Sequence, residues 1–156
     1  MRALCCLDGT NVEQVSKAVR ALLRTEPRQI GILYVIDSGP KVEMERHRKR
    51  LLRSLHPPLP RREQMQQVEQ ASAQEILEEG SRFLGGAEML QRAGRPEREI
   101  VQAAIEWQAD VLVICSRSAA SGGPLQGPGS VGHVTRFVLD HAPCPVLLVR
   151  PSAALV

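Results

Sequence analysis

Two short stretches carry residue types that can hold a polar or anionic ligand. The first is Asp8-Gly9-Thr10, a carboxylate and a hydroxyl in a turn whose polar residues, Asn11 included, can equally cap a helix. The second is CSRSAASGGPLQGPGSVG, residues 115–132, with five glycines and two prolines. Glycines let a backbone approach a phosphate closely and aim successive N–H groups at it. A helix beginning after such a loop adds free N–H donors and a partial positive charge. Ser116, Arg117, Ser118 and Ser130 offer side-chain contacts beside them. The chemistry is anion binding. The loop has neither a terminal Gly-Lys-Ser/Thr nor G-x-G-x-x-G, so its spacing alone names no nucleotide.

Other chemistries find less support. The cysteines are Cys5, Cys6, Cys115 and Cys144, with no C-x-x-C pair, so they read as small buried hydrophobes rather than as a zinc or redox motif. His133 and His141 stand eight apart, too far for one metal, and read as structural or surface residues. No Ser-His-Asp order or carboxylate pair stands out, so a dedicated catalytic site is not expected.

The elements that must position the two stretches follow from periodicity. RALCCL (2–7), QIGILYVI (29–36), AEMLQRA (87–93), VLVI (111–114) and VLLV (146–149) read as strands, mostly continuous apolar runs. Helices are expected at 12–24, at 41–55, over about 61–84, from Pro96 to beyond Ala104, and from Val131 to His141 with Ser130 as N-cap. The long helix should turn Met65, Val68, Ile76, Leu77, Phe83 and Leu84 to one apolar side. Alternating strands and helices imply right-handed crossovers and a parallel sheet covered on both faces. In such a sheet, ligands bind beyond the carboxyl ends of the strands where strand order reverses, which is where both stretches fall.

Charge and length bound the rest. The 156 residues suit one domain, and no apolar run reaches membrane-span length. The apolar N-terminal run is too short for a signal peptide, so a cytoplasmic location is expected. Net charge is +3, but residues 41–62 hold eight Lys/Arg against two Glu, a local +6. This segment, with Arg46, Arg48, Lys49, Arg50, Arg53, Arg61 and Arg62, reads as a solvated face or mobile lid. Attraction of phosphates or an acidic partner is a second reading, and nucleic acid or a membrane surface is the weakest, because aromatic residues are few.

Several segments, in order, resemble the universal stress protein (UspA-like) family. LCCLDGT (4–10) is similar to a first strand ending V-D-G-S/T, and GRPEREIVQAA (94–104) to G-x-P-x-x-x-I-x-x-A. ADVLVICSRS (109–118) resembles A-D-L-I-V-M-G-S-R-G. GSVGHVTRFVLDHAPCPVLLVRP (129–151) resembles G-S-V-S-x-x-V-x-x-H-A-P-C-P-V-L-V-V-R. The resemblance implies an α/β fold of the adenine nucleotide alpha hydrolase type. Its doubly wound, open, five-stranded parallel sheet has order 3-2-1-4-5 and helices on both faces. It implies one domain over 1–151, with 37–62 a basic insertion and 152–156 a tail. It also implies a homodimer through the fifth strand, Val146–Arg150.

One branch of the family binds ATP through G-x2-G-x9-G-S/T. Carried over, its first two glycines fall on Cys115 and Ser118, and its terminal pair on Gly129-Ser130. Ten residues separate Ser118 from Gly129 here, where the motif has nine. The residue meeting adenine falls on Asp8, and a backbone contact on Val35. The expected nucleotide set is therefore Asp8, Gly9, Thr10, Val35, Cys115, Arg117, Ser118, Gly127, Gly129, Ser130 and Val131. Mg2+ is expected only if ATP is bound, with slow hydrolysis at most. The competing expectation is a nucleotide-free dimeric module that binds an unknown protein partner, its loop having lost ATP.

Overall fold

The computed structural model describes residues 1–24, 29–39, 59–116, 124 and 126–150. The helix expected at 41–55, most of the basic insertion and the tail lie outside these residues. In chain order the elements are β1 (Arg2–Leu7), α1 (Val12–Leu22), β2 (Gln29–Asp37), α2 (Leu59–Phe83), β3 (Glu88–Gly94), α3 (Pro96–Glu106), β4 (Val111–Cys115), α4 (His133–His141) and β5 (Val146–Val149). The strands form one all-parallel sheet in the order β3-β2-β1-β4-β5. The expected topology is the observed one.

Successive strand residues face opposite sides, and the core divides accordingly. Leu4, Cys6, Leu33, Leu112 and Ile114 join Ile100, Ala103, Ala104 and Trp107 of the α3 segment and Val138 of α4. Cys5, Leu7, Ile32, Val113 and Cys115 join Val12, Val15 and Val19 of α1 and Leu77 of α2. The adjacent Cys5 and Cys6 therefore lie in different cores, as the strand period requires.

Trp107 fixes the spacing of the first layer. Its indole N–H donates to Glu88 Oε2 at 3.0 Å, and the Arg2 guanidinium lies 4.5 Å from the ring centroid. Gly31 lies under the ring: a Cβ there would come within 2.8 Å of Trp107 Cζ2. The glycine in QIGILYVI thus admits a large aromatic to the sheet face.

Two expectations are corrected. The long helix does not bury one apolar side throughout: Met65, Val68 and Phe83 are exposed, while Leu77 is buried and Ile76 packs beside it. A 25-residue helix extends about 37 Å, whereas a six-residue strand spans about 20 Å, so the sheet cannot cover it end to end. The last helix begins at His133, not Val131, and its N-cap is Gly132 rather than Ser130. Gly132 takes φ 84°, ψ 161°, a conformation almost confined to glycine, and this sets the helix start two residues later.

Candidate functional site

The sheet order reverses around β1, whose neighbours are β2 on one side and β4 on the other. Beyond the carboxyl ends of these three strands lies a cleft of 380 Å³. Asp8 and Asn11 line it from the β1–α1 turn, and Tyr34 and Val35 from β2. Ile114, Cys115 and Ser116 come from the end of β4, Pro96 and Ile100 from the start of α3, and residues 131–135 from the entry to α4. The lining is mostly apolar with a few polar groups, as small-molecule sites are.

The β1–α1 turn is held by its own side chains. Thr10 donates from its N–H at 2.8 Å and from Oγ1 at 2.9 Å, both to Asp8 Oδ1. This Asx turn engages Oδ1, and Asp8 lines the cleft. Asn11 stands at the N-cap position of α1, yet its side chain does not cap the helix. Its Oδ1 instead accepts from the Asp8 N–H at 3.0 Å, and its Nδ2 donates to the Cys6 carbonyl at 3.1 Å. Asn11 is buried and fixes the direction in which Asp8 leaves the strand. Gly9 completes the turn at φ 90°.

The ladder between β1 and β2 ends at Leu7↔Tyr34, so Val35 has no partner on β1. β2 continues along β3, where Val35 pairs with Arg92. The backbone expected to meet a base therefore belongs to a strand held firmly on its other side.

At the end of β4, Cys115 occupies extended backbone and its side chain joins the core beneath α1. No left-handed conformation is needed there, so the cysteine in place of a glycine strains nothing. Burial pushes its thiol up to about 11, a hydrogen bond with Asn11 opposes the shift, and the Asp8 charge adds to it. A thiol so placed is not a nucleophile at neutral pH. Thr135 Oγ1 donates to the Cys115 carbonyl at 2.9 Å, tying α4 to β4 across the cleft floor. Ser116 is held from β5, its N–H donating to the Val149 carbonyl at 2.9 Å.

Of the glycine-rich stretch, Cys115, Ser116, Pro124 and residues 126–132 are described; Arg117 and Ser118 lie outside the described residues. Gly127 and Gly129 take φ 81° and 86°. Ser130 is buried, its N–H donates to the Gly127 carbonyl at 3.2 Å, and its Oγ accepts from Arg150 Nη1 at 3.2 Å. Its hydroxyl thus joins the loop to the end of β5.

Of the expected residues, Asp8, Val35, Cys115 and Val131 line the cleft. Gly9, Thr10, Gly127, Gly129 and Ser130 shape the turns beside it. Asn11, Tyr34, Ile100, His133 and Thr135 line it without having been expected there. Thr135 left a trace in the sequence, as a hydroxyl among Val131, Val134 and Val138 on an otherwise apolar helix face. Among the described residues, no group of three or more His, Cys, Asp or Glu is placed to hold a metal ion.

Fold and cleft together define an open, doubly wound α/β domain with a cleft at its topological switch point. Residues 1–150 match the sequence model of the Universal stress protein family, and the chain belongs to that family. It is 44% identical over 57 residues to the universal stress protein in the QAH/OAS sulfhydrylase 3′ region of Thermus aquaticus. That alignment spans 36% of this chain and 39% of the relative. Among solved structures it resembles the universal stress protein UspA from Lactobacillus plantarum, with TM-score 0.69 and 22% identity over 96% of this chain and 97% of that one. It also resembles a universal stress protein family member from Arabidopsis thaliana with AMP bound, with TM-score 0.61 and 19% identity over 98% and 93% of the two chains.

Proposed function

We propose that this universal stress protein binds an adenine nucleotide, ATP or AMP, in the cleft between the ends of β1 and β4 and acts as a regulatory module. The observation that carries the reading is the 380 Å³ cleft itself, with Asp8 on one wall and the start of α4 on the other. Asp8 Oδ2 is suited to accept from the adenine amino group, and the Val35 backbone to contact the base. The free N–H groups at the start of α4, with the loop through Gly127 and Gly129, suit ribose and phosphates. The AMP bound to the Arabidopsis relative supports the same class of ligand. Arg117 and Ser118 are proposed phosphate contacts on sequence grounds. If ATP is the ligand, its phosphates bring Mg2+ with them. Ser130 acts by shaping the loop, because its hydroxyl is buried and held by Arg150.

We place the protein in the cytoplasm, as a dimer joined through β5. Among the described residues no helix is long and apolar enough to cross a membrane. Val146–Val149 are only partly buried in the single chain, and an edge strand of this kind is open to pairing with a second copy. The engagement of Ser130 by Arg150 favours one other reading, a nucleotide-free dimeric module whose loop is tied to its own edge strand and which recognises a protein partner.

Thermal unfolding with ATP or AMP separates the two. A ligand at 100 times its Kd adds about 2.7 kcal/mol to stability. Asp8→Asn keeps an acceptor for Thr10 but presents an amide donor to the adenine amino group. It should unfold normally without ligand and lose most of the shift with it. No shift in the wild-type protein at millimolar nucleotide would sink the nucleotide reading.

A further inference from the structure

We infer that His133 recognises the phosphate of the bound nucleotide and makes affinity for it depend on pH. The inference rests on the nucleotide reading of the cleft and adds a contact that reading does not contain.

His133 is the first residue of α4, lines the cleft, and leaves its side chain 77% exposed. A cationic imidazole at a helix N-terminus opposes the helix dipole, so helix stability does not account for it. Glu97, at the start of α3, brings Oε1 to 3.9 Å from His133 Nε2, and its own side chain is 13% exposed. The cleft thus carries an exposed imidazole, with a carboxylate beside it, between two helix starts. A phosphate resting on the free N–H groups of α4 lies within reach of that imidazolium, and the contact is a charge-assisted hydrogen bond. Glu97 competes with the phosphate for the same ring. Glu97 is the charged group in contact with His133, Asp8 lines the same cleft, and Arg136 follows three residues along α4. Among unperturbed side chains, imidazole is the one that changes charge between pH 5 and 8.

The test uses AMP and adenosine as probes on the full chain, with wild-type protein, His133→Gln and Glu97→Gln, at pH 6 and pH 8.5. The quantity read is the ratio of variant to wild-type Kd at each pH, which cancels the titration of the AMP phosphate itself. For His133→Gln with AMP, the ratio should be roughly threefold to tenfold at pH 6 and near one at pH 8.5. With adenosine it should be near one at both. Glu97→Gln should tighten AMP and leave adenosine unchanged. An AMP ratio for His133→Gln that is equal at the two pH values overturns the inference alone, as does an equal loss for adenosine. Failure of wild-type protein to bind either probe overturns the nucleotide reading and this inference with it.

Discussion

At the scale of single residues, the site depends on polar groups that hold backbone in place rather than on reactive side chains. Asn11 and Thr135 show this, one directing the exit of β1 and the other tying α4 to Cys115. Thr135→Val keeps the shape and removes the hydroxyl that the buried Cys115 carbonyl accepts from; it should cost about 1–3 kcal/mol, read as a lower urea midpoint with unchanged slope. The thiols give a second expectation. Cys5 is pushed up to about 12 and Cys115 to about 11 from 9.0, chiefly by burial. Between these values the folded chain keeps protons that the unfolded chain has lost. Stability from these groups is therefore complete below about pH 9 and falls as pH rises through 9 to 12. Urea midpoints at pH 8 and 10.5 should show that fall. Cys115→Ala should make it shallower; an equal fall in the variant would show that this thiol stays protonated in neither state or in both.

At the scale of elements, close approach of helices to the sheet decides what the chain tolerates. Gly31→Ala would force Trp107 away from β2 and disturb its bond to Glu88, costing about 1–3 kcal/mol, with loss of the buried-indole fluorescence signature. A variant of wild-type stability would mean that Trp107 is not seated on that glycine. Most of these elements were legible in the sequence, because a doubly covered parallel sheet demands continuous apolar strands such as VLVI and QIGILYVI. The start of α4 was not. Ser130 had the composition of an N-cap, but the positive φ of Gly132 is a property of the folded turn, and the stretch offers several glycines that could have supplied it. Nor was the exposed half of α2 legible, since Met65 and Val68 keep helical spacing with apolar partners that only the length of the sheet leaves uncovered. In the site, Asp8 was legible because it follows a strand immediately. Tyr34, Ile100 and His133 were not, because spacing along one element does not say which other element comes to face it.

At the scale of the molecule, one sheet order, β3-β2-β1-β4-β5, sets the cleft at the reversal and leaves β5 at an edge, one residue before Arg150 reaches Ser130. The site and the proposed dimer edge are thus adjoining parts of one chain segment. The proposed ligand is an adenine nucleotide in the cleft at the ends of β1 and β4. A titration of the amide proton–nitrogen spectrum with AMP and ATP tests it most directly. Shifts should concentrate at Asp8–Asn11, Tyr34–Val35, Ser116 and Val131–Thr135. An unchanged spectrum at millimolar nucleotide, or shifts confined to residues away from this cleft, would contradict it.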